Sequence, residues 1–132
     1  MILGDTQAVV WYLAGNRRLG QRARNRMRLA NLSNDAAFSA ISIWEIGMLQ
    51  QKGRLGNAMS ATQWYEWLLA EGFNELPVTG AIAARAGDLQ DIHGDPADRI
   101  VVATALEGHL LITSDRPILE WPHQLDRFDA RR

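Results

Sequence analysis

Short apolar runs alternate along the chain with longer stretches whose apolar residues recur at helical spacing. "MILG" is a brief apolar run that stops at Asp5. "TQAVVWYLAG" after it has helical spacing with Gly15 as its stop, so strand then helix is predicted. A second helix is expected from Gly20 to about Leu32, with Ala23, Met27 and Ala30 as its buried stripe and Arg24 and Arg28 roughly opposite. "AFSAI", Ala37 to Ile41, reads as a buried strand. Ser42 follows with capping-box spacing to Glu45 and opens the helix "SIWEIGMLQQKG". "ATQWYEWLLAEG" predicts an amphipathic helix ending at Gly72, "FNELPV" a strand, and "TGAIAARAGDLQDI" a helix capped by Thr79. Asp95 caps the next helix, with Pro96 in the favoured first position and Gly108 as the stop. "LLIT" is a strand ending just before Asp115, and "RFDA" a last edge strand. Strands alternating with helices define an α/β sandwich with a mostly parallel sheet.

Composition narrows the class. The chain has 132 residues, 47% hydrophobic and 22% charged, as expected of one globular domain. It has no cysteine, which excludes disulfides and thiolate metal sites and is compatible with a reducing cytoplasm. No apolar run approaches the length of a membrane span, and the first residues lack the basic region of a signal peptide, so a cytoplasmic protein is expected. The net charge of −1 conceals an asymmetry. Residues 1–34 carry six arginines and one acid, whereas residues 35–132 carry eight basic and fourteen acidic residues. Any nucleic-acid contact must then be made by a local patch.

The stretch "GDPADRIVVATALEGHLLITSD", Gly94 to Asp115, adds the chemistry. Its interior, Ile100 to Ile112, is mostly apolar, yet Asp95 and Asp98 stand at one end and Asp115 at the other. Ligands of open parallel sheets gather beyond the carboxyl ends of the strands. Asp5 follows the first strand, Glu45 lies in the first turn after the second, and Asp115 follows a late one, with Asp98 in the first turn of the preceding helix. Singly, each acid has a structural explanation: Asp95 as an N-cap, Asp98 as a partner of the helix dipole, Glu45 as half of a capping box. Together, four converging carboxylates repel one another unless a cation neutralises them. Hard oxygen donors suit Mg²⁺ or Mn²⁺ rather than zinc, and such ions activate water for phosphodiester cleavage. No Walker loop or GxGxxG is present, and His93, His109 and His123 carry no pairing signal, so each reads as a surface or capping residue.

"GDTQAVVWYL", "SAISIWEIGMLQQKGRL", "FNELPVT" and "DPADRIVVATALEGHLLITSD", in that order, resemble the PIN domain, specifically the VapC-type toxins of bacterial toxin–antitoxin pairs. The resemblance covers roughly Ile2 to Phe128. It implies a three-layer sandwich with a central five-stranded parallel sheet and a metal-dependent endoribonuclease using Mg²⁺ or Mn²⁺. The family's acidic quartet maps onto Asp5, Glu45, Asp98 and Asp115, with Asp95 as a nearby helper and Thr6 and Thr113 at supporting polar positions. It also implies a homodimer and a cognate antitoxin whose tail reaches the active site. Three positions depart from the family. Gln7 stands where Asn, Ser or His is frequent, Ala97 where an aromatic is common, and Gly4 where an apolar side chain is usual.

Arg17, Arg18, Arg22, Arg24, Arg26 and Arg28 form the one basic stretch, and Arg22, Arg24 and Arg28 are its candidate contacts to an RNA backbone; a solvated helix face is the plain alternative. Five tryptophans are core residues by default, with an exposed subset able to serve an interface. Two other functions compete with the ribonuclease: a non-catalytic RNA- or protein-binding module on the same fold, and a metal-dependent DNA nuclease.

Overall fold

The computed structural model describes residues 1–132. Five strands, β1 (Ile2–Gly4), β2 (Ala36–Ser39), β3 (Asn74–Leu76), β4 (Leu110–Thr113) and β5 (Arg127–Asp129), form one sheet in the order β3-β2-β1-β4-β5. All four pairings are parallel. Seven helices accompany them: α1 (Thr6–Ala14), α2 (Gln21–Leu32), α3 (Ala40–Gln51), α4 (Ala61–Ala70), α5 (Gly80–Asp88), α6 (Pro96–Ala105) and α7 (Arg116–Leu119).

Strand alternation assigns the two faces of the sheet. Ala36, Phe38 and Ile112 pack with Val9 of α1, Met27 of α2 and Leu68 of α4. Leu3, Ala37 and Leu111 point the other way, onto Val101 and Val102 of α6 and Ile118 of α7. The result is a three-layer sandwich with an all-parallel core. The order of connections reverses between β1 and β4, and the crevice beyond their carboxyl ends is where such sheets take ligands. Asp5 and Asp115 follow directly from those two strands.

Gly4 has a packing reason. It pairs with Phe38 on one side and Ile112 on the other, and a Cβ there would lie 2.7 Å from Val9 Cγ1 and 3.2 Å from Met27 Cε. The helices that cover β1 already fill the space where the family carries a side chain.

Three boundaries differ from the sequence expectation. The second strand ends at Ser39, not Ile41, and Ser39 caps α3 by accepting from the Ile41 N–H at 3.2 Å. Ser42 is therefore not an N-cap and forms no capping box with Glu45. Buried within α3, its hydroxyl accepts a hydrogen bond from Thr6 Oγ1 at 2.8 Å. A capping box does occur at α4, between Ser60 and Gln63. The helix capped by Thr79 stops at Asp88, and residues 89–94 form a loop. Arg99 holds that loop: its guanidinium donates to the carbonyls of Ala86, Gly87, Leu89, Ile92 and His93 at 2.9–3.3 Å. Arg99→Ala leaves five carbonyls without that donor, and an expected loss of about 3 kcal/mol is measurable by urea unfolding.

Candidate active site

The helix starts themselves build the site. Asp5, Asp95 and Asp115 are the N-caps of α1, α6 and α7, each accepting from a backbone N–H of the helix it opens. Capping and a role in the cleft are thus compatible for Asp5 and Asp115, because α1 and α7 start just beyond the carboxyl ends of β1 and β4. Asp95 lies outside the cleft lining, on the groove beside Trp44. Asp98 sits in the first turn of α6 and Glu45 in the second turn of α3. Asp5, Glu45, Asp98 and Asp115 line one cleft of about 530 Å³, together with Thr6, Gln7, Trp11, Arg116 and Arg131. Gln7 lines the cleft without a side-chain hydrogen bond to any of the acids.

Thr113 joins two of the strand-end acids. It is wholly buried, its hydroxyl accepts from the Asp115 N–H at 3.0 Å, and it donates to Asp5 Oδ2 at 2.5 Å. The other Asp5 oxygen accepts from Ala8 N at 2.8 Å. Thr113→Val removes both partners inside the core; a loss of about 2 kcal/mol and a further rise of the Asp5 pKa are expected, the latter by carboxylate NMR titration.

Electrostatics separates this cluster from ordinary surface acids. Burial pushes the Asp5 carboxyl up to about 6, opposed by its bonds to Thr113 and Ala8 and aided by the charges of Glu45 and Asp115. Asp98 is pushed up to about 7, first by burial and then by Asp95, Asp115, Glu45 and Asp5. Burial also raises Glu45, against the neighbouring Thr6 hydroxyl. No lysine or arginine nitrogen lies within 4.0 Å of any of these carboxylates. Arg116, on the rim, pairs instead with Glu120 at 3.7 Å.

His93, which the sequence marked only as a surface or capping residue, enters the site on the 89–94 loop. Its Nε2 lies 3.1 Å from Asp115 Oδ2 and 3.4 Å from Asp98 Oδ2, while the Asp95 N–H donates to Nδ1 at 3.2 Å. That second contact leaves the ring proton on Nε2, facing the acids. In this pose His93 is a donor bridging two carboxylates. Donor atoms of His93, Asp98 and Asp115 lie within 4.8 Å of one another, as do those of Glu45, Asp95 and Asp98, so Asp98 is shared by both groups.

The basic stretch is placed elsewhere. Arg24 is not a free RNA contact: it is half-buried and donates to the carbonyls of Trp11, Tyr12 and Asn16 at 3.1–3.4 Å, finishing the C-terminal end of α1. Arg22 lies over the Phe128 ring at 5.6 Å, and Arg28 is exposed on α2; neither lines the cleft. Of the tryptophans, Trp11, Trp64 and Trp121 are buried, and Trp67 stacks on Trp64. Trp44, next to Glu45, is 56% exposed and lines a groove with Met48, Asp95 and Ala97.

A parallel five-stranded sandwich with acids gathered at the carboxyl edge of its central strands is the architecture of a PIN domain, and the PIN domain family model matches residues 2–120. The chain belongs to the PIN domain family, as a VapC-type member. It is 33% identical over 124 residues to Ribonuclease VapC22 of Mycobacterium tuberculosis, covering 92% of each chain. Its fold is similar to a toxin–antitoxin complex from Klebsiella pneumoniae (TM-score 0.63, 20% identity, 98% of each chain). It is also similar to VapBC2 from Rickettsia felis bound to a promoter DNA fragment (TM-score 0.69, 17% identity, 98% of this chain and 100% of that one). No helix is long and apolar enough to cross a membrane.

Proposed function

We propose that this chain is a metal-dependent endoribonuclease and the toxin of a toxin–antitoxin pair. The observation that carries the reading is a cluster of partly buried carboxylates lining one cleft, two of them raised to about 6 and about 7, with no lysine or arginine paired to them. An all-oxygen, mutually repelling donor set fits a hard divalent cation, Mg²⁺ or Mn²⁺. Asp5, Glu45, Asp98 and Asp115 would hold it, with Asp95 beside them. When bound, such an ion supplies charge neutralisation and an activated water for phosphodiester cleavage. Thr113 holds Asp5 and the Asp115 backbone in one frame, and Thr6, bonded to Ser42, fixes the floor beneath Glu45. Glu45, beside the Thr6 hydroxyl, would help to orient an attacking water.

The relative's description as a ribonuclease supports RNA as the substrate, and the two structural relatives support a cognate antitoxin as a partner. A homodimer in the cytoplasm completes the reading. The test is incubation of purified protein, freed of any partner, with total RNA and Mg²⁺ or Mn²⁺, with EDTA and Asp98→Asn as controls. Discrete fragments that vanish in both controls are the expected result. Binding that survives EDTA with no product under any condition would replace the nuclease by a binding module, and preferential cutting of a matched DNA oligonucleotide would replace RNA.

A further inference from the structure

Arg131 lines the acid cleft, yet it is paired with none of the acids. An arginine beside four carboxylates would normally form an ion pair; here it is fastened otherwise. Its Nη1 donates to the Ser114 carbonyl at 2.7 Å, and the guanidinium carbon lies 5.7 Å from the centre of the Trp11 ring. One N–H and one face are thereby used, and the other N–H groups carry no protein partner. A guanidinium with open donors presents the fork that matches a phosphate.

The backbone that delivers it is pinned. Ala130 is buried, its N–H donates to the Thr113 carbonyl at 2.8 Å, and its carbonyl accepts from Gly20 N at 2.8 Å. The Arg132 carbonyl accepts from Arg22 N at 2.8 Å, and Arg131 N donates to Asp129 Oδ1 at 2.9 Å. Gly20 makes this passage possible, since a Cβ there would overlap the backbone of Arg131 and Arg132. The strand that carries Thr113 thus also carries the tail that sets Arg131.

We infer that Arg131 is a substrate-positioning residue that takes a backbone phosphate of the nucleic-acid strand lying across the carboxylates. The inference rests on the ribonuclease reading. It moves the phosphate contact from the basic helix α2, which does not line the cleft, to the C-terminal tail, which does.

The test is anisotropy titration of fluorescein-labelled, mixed-sequence single-stranded RNA in Ca²⁺ over a series of KCl concentrations. Arg131→Ala should weaken binding about tenfold and lower the slope of log affinity against log salt by about 0.7, one phosphate contact on a single strand. Arg131→Lys should keep the slope and recover part of the affinity. Arg85→Ala, which removes the same charge from the exposed face of α5, should change neither. Gly20→Ala, by displacing the tail, should reproduce the Arg131→Ala slope. Wild-type binding with an unchanged slope in Arg131→Ala overturns the inference and leaves the nuclease reading standing, as does a loss confined to Gly20→Ala. Wild-type protein that neither binds nor cleaves RNA overturns both.

Discussion

Asp98→Asn is expected to lower RNA cleavage by about 10³-fold or more while making the metal-free protein more stable at neutral pH. The two effects have one origin. Asp98 is the carboxylate that both groups of neighbouring donor atoms share, and four other acids raise it beyond what burial alone would do. An amide in its place is nearly isosteric but carries no charge to be repelled. It keeps the backbone bond from Asp98 N to Asp95 that starts α6. Stabilisation of about 2 kcal/mol at neutral pH follows from the raised value, allowing for the part its neighbours recover when the charge is gone. If Asp98 served only the α6 dipole, the same substitution would instead cost about 0.5 kcal/mol. Urea unfolding in EDTA decides between gain and loss, and a gain in stability paired with lost cleavage is the signature of a residue kept for function. Full cleavage by the folded variant would sink the assignment.

What the sequence revealed, and what it hid, divides along physical lines. The strands were legible because parallel strands buried on both faces are short apolar runs, as in "LLIT". The convergence of Asp5 and Asp115 followed from topology, since both stand one or two residues beyond strands that turn out to be neighbours. The start of α3 was misplaced because Ser39 and Ser42 are both plausible caps, and only the length at which β2 matches its partners selects the first. His93 and Arg131 were hidden for a different reason. Each reaches the cleft on a segment without periodicity, one on a loop clamped by Arg99 and the other on a tail threaded past Gly20. The arginines of α2 were visible as a charge run, but the side-chain role of Arg24, a cap for the α1 carbonyls, depends on a crossing of helices that local pattern does not encode.

The second large effect is a reversal of the pH dependence of stability by a divalent ion. Asp5 and Asp98 hold protons more tightly in the folded chain, at about 6 and about 7, than the ordinary 3.8 of an unfolded aspartate. Their contribution to the metal-free fold is complete below about pH 4 and is lost as the pH rises through about 6 and then about 7. Glu45, also raised, acts with the same sign. His109 acts against them, because partial burial and the neighbouring N-terminus lower its pKa, which favours the fold as the pH rises. Two aspartates outweigh one partly exposed histidine, so in EDTA the melting temperature should fall between pH 5 and pH 8. Asn at positions 5 and 98 should flatten that fall and expose the small opposite slope of His109. Mg²⁺ or Mn²⁺ demands ionised carboxylates, so its affinity climbs over the same interval. At saturating ion the expected difference in melting temperature is slight at pH 5 and about 10 °C at pH 8. Thermal unfolding with and without the ion measures both curves. A metal-free stability that rises steadily with pH would mean that the carboxylates ionise freely, and the case for a cation held among them would lose its electrostatic basis.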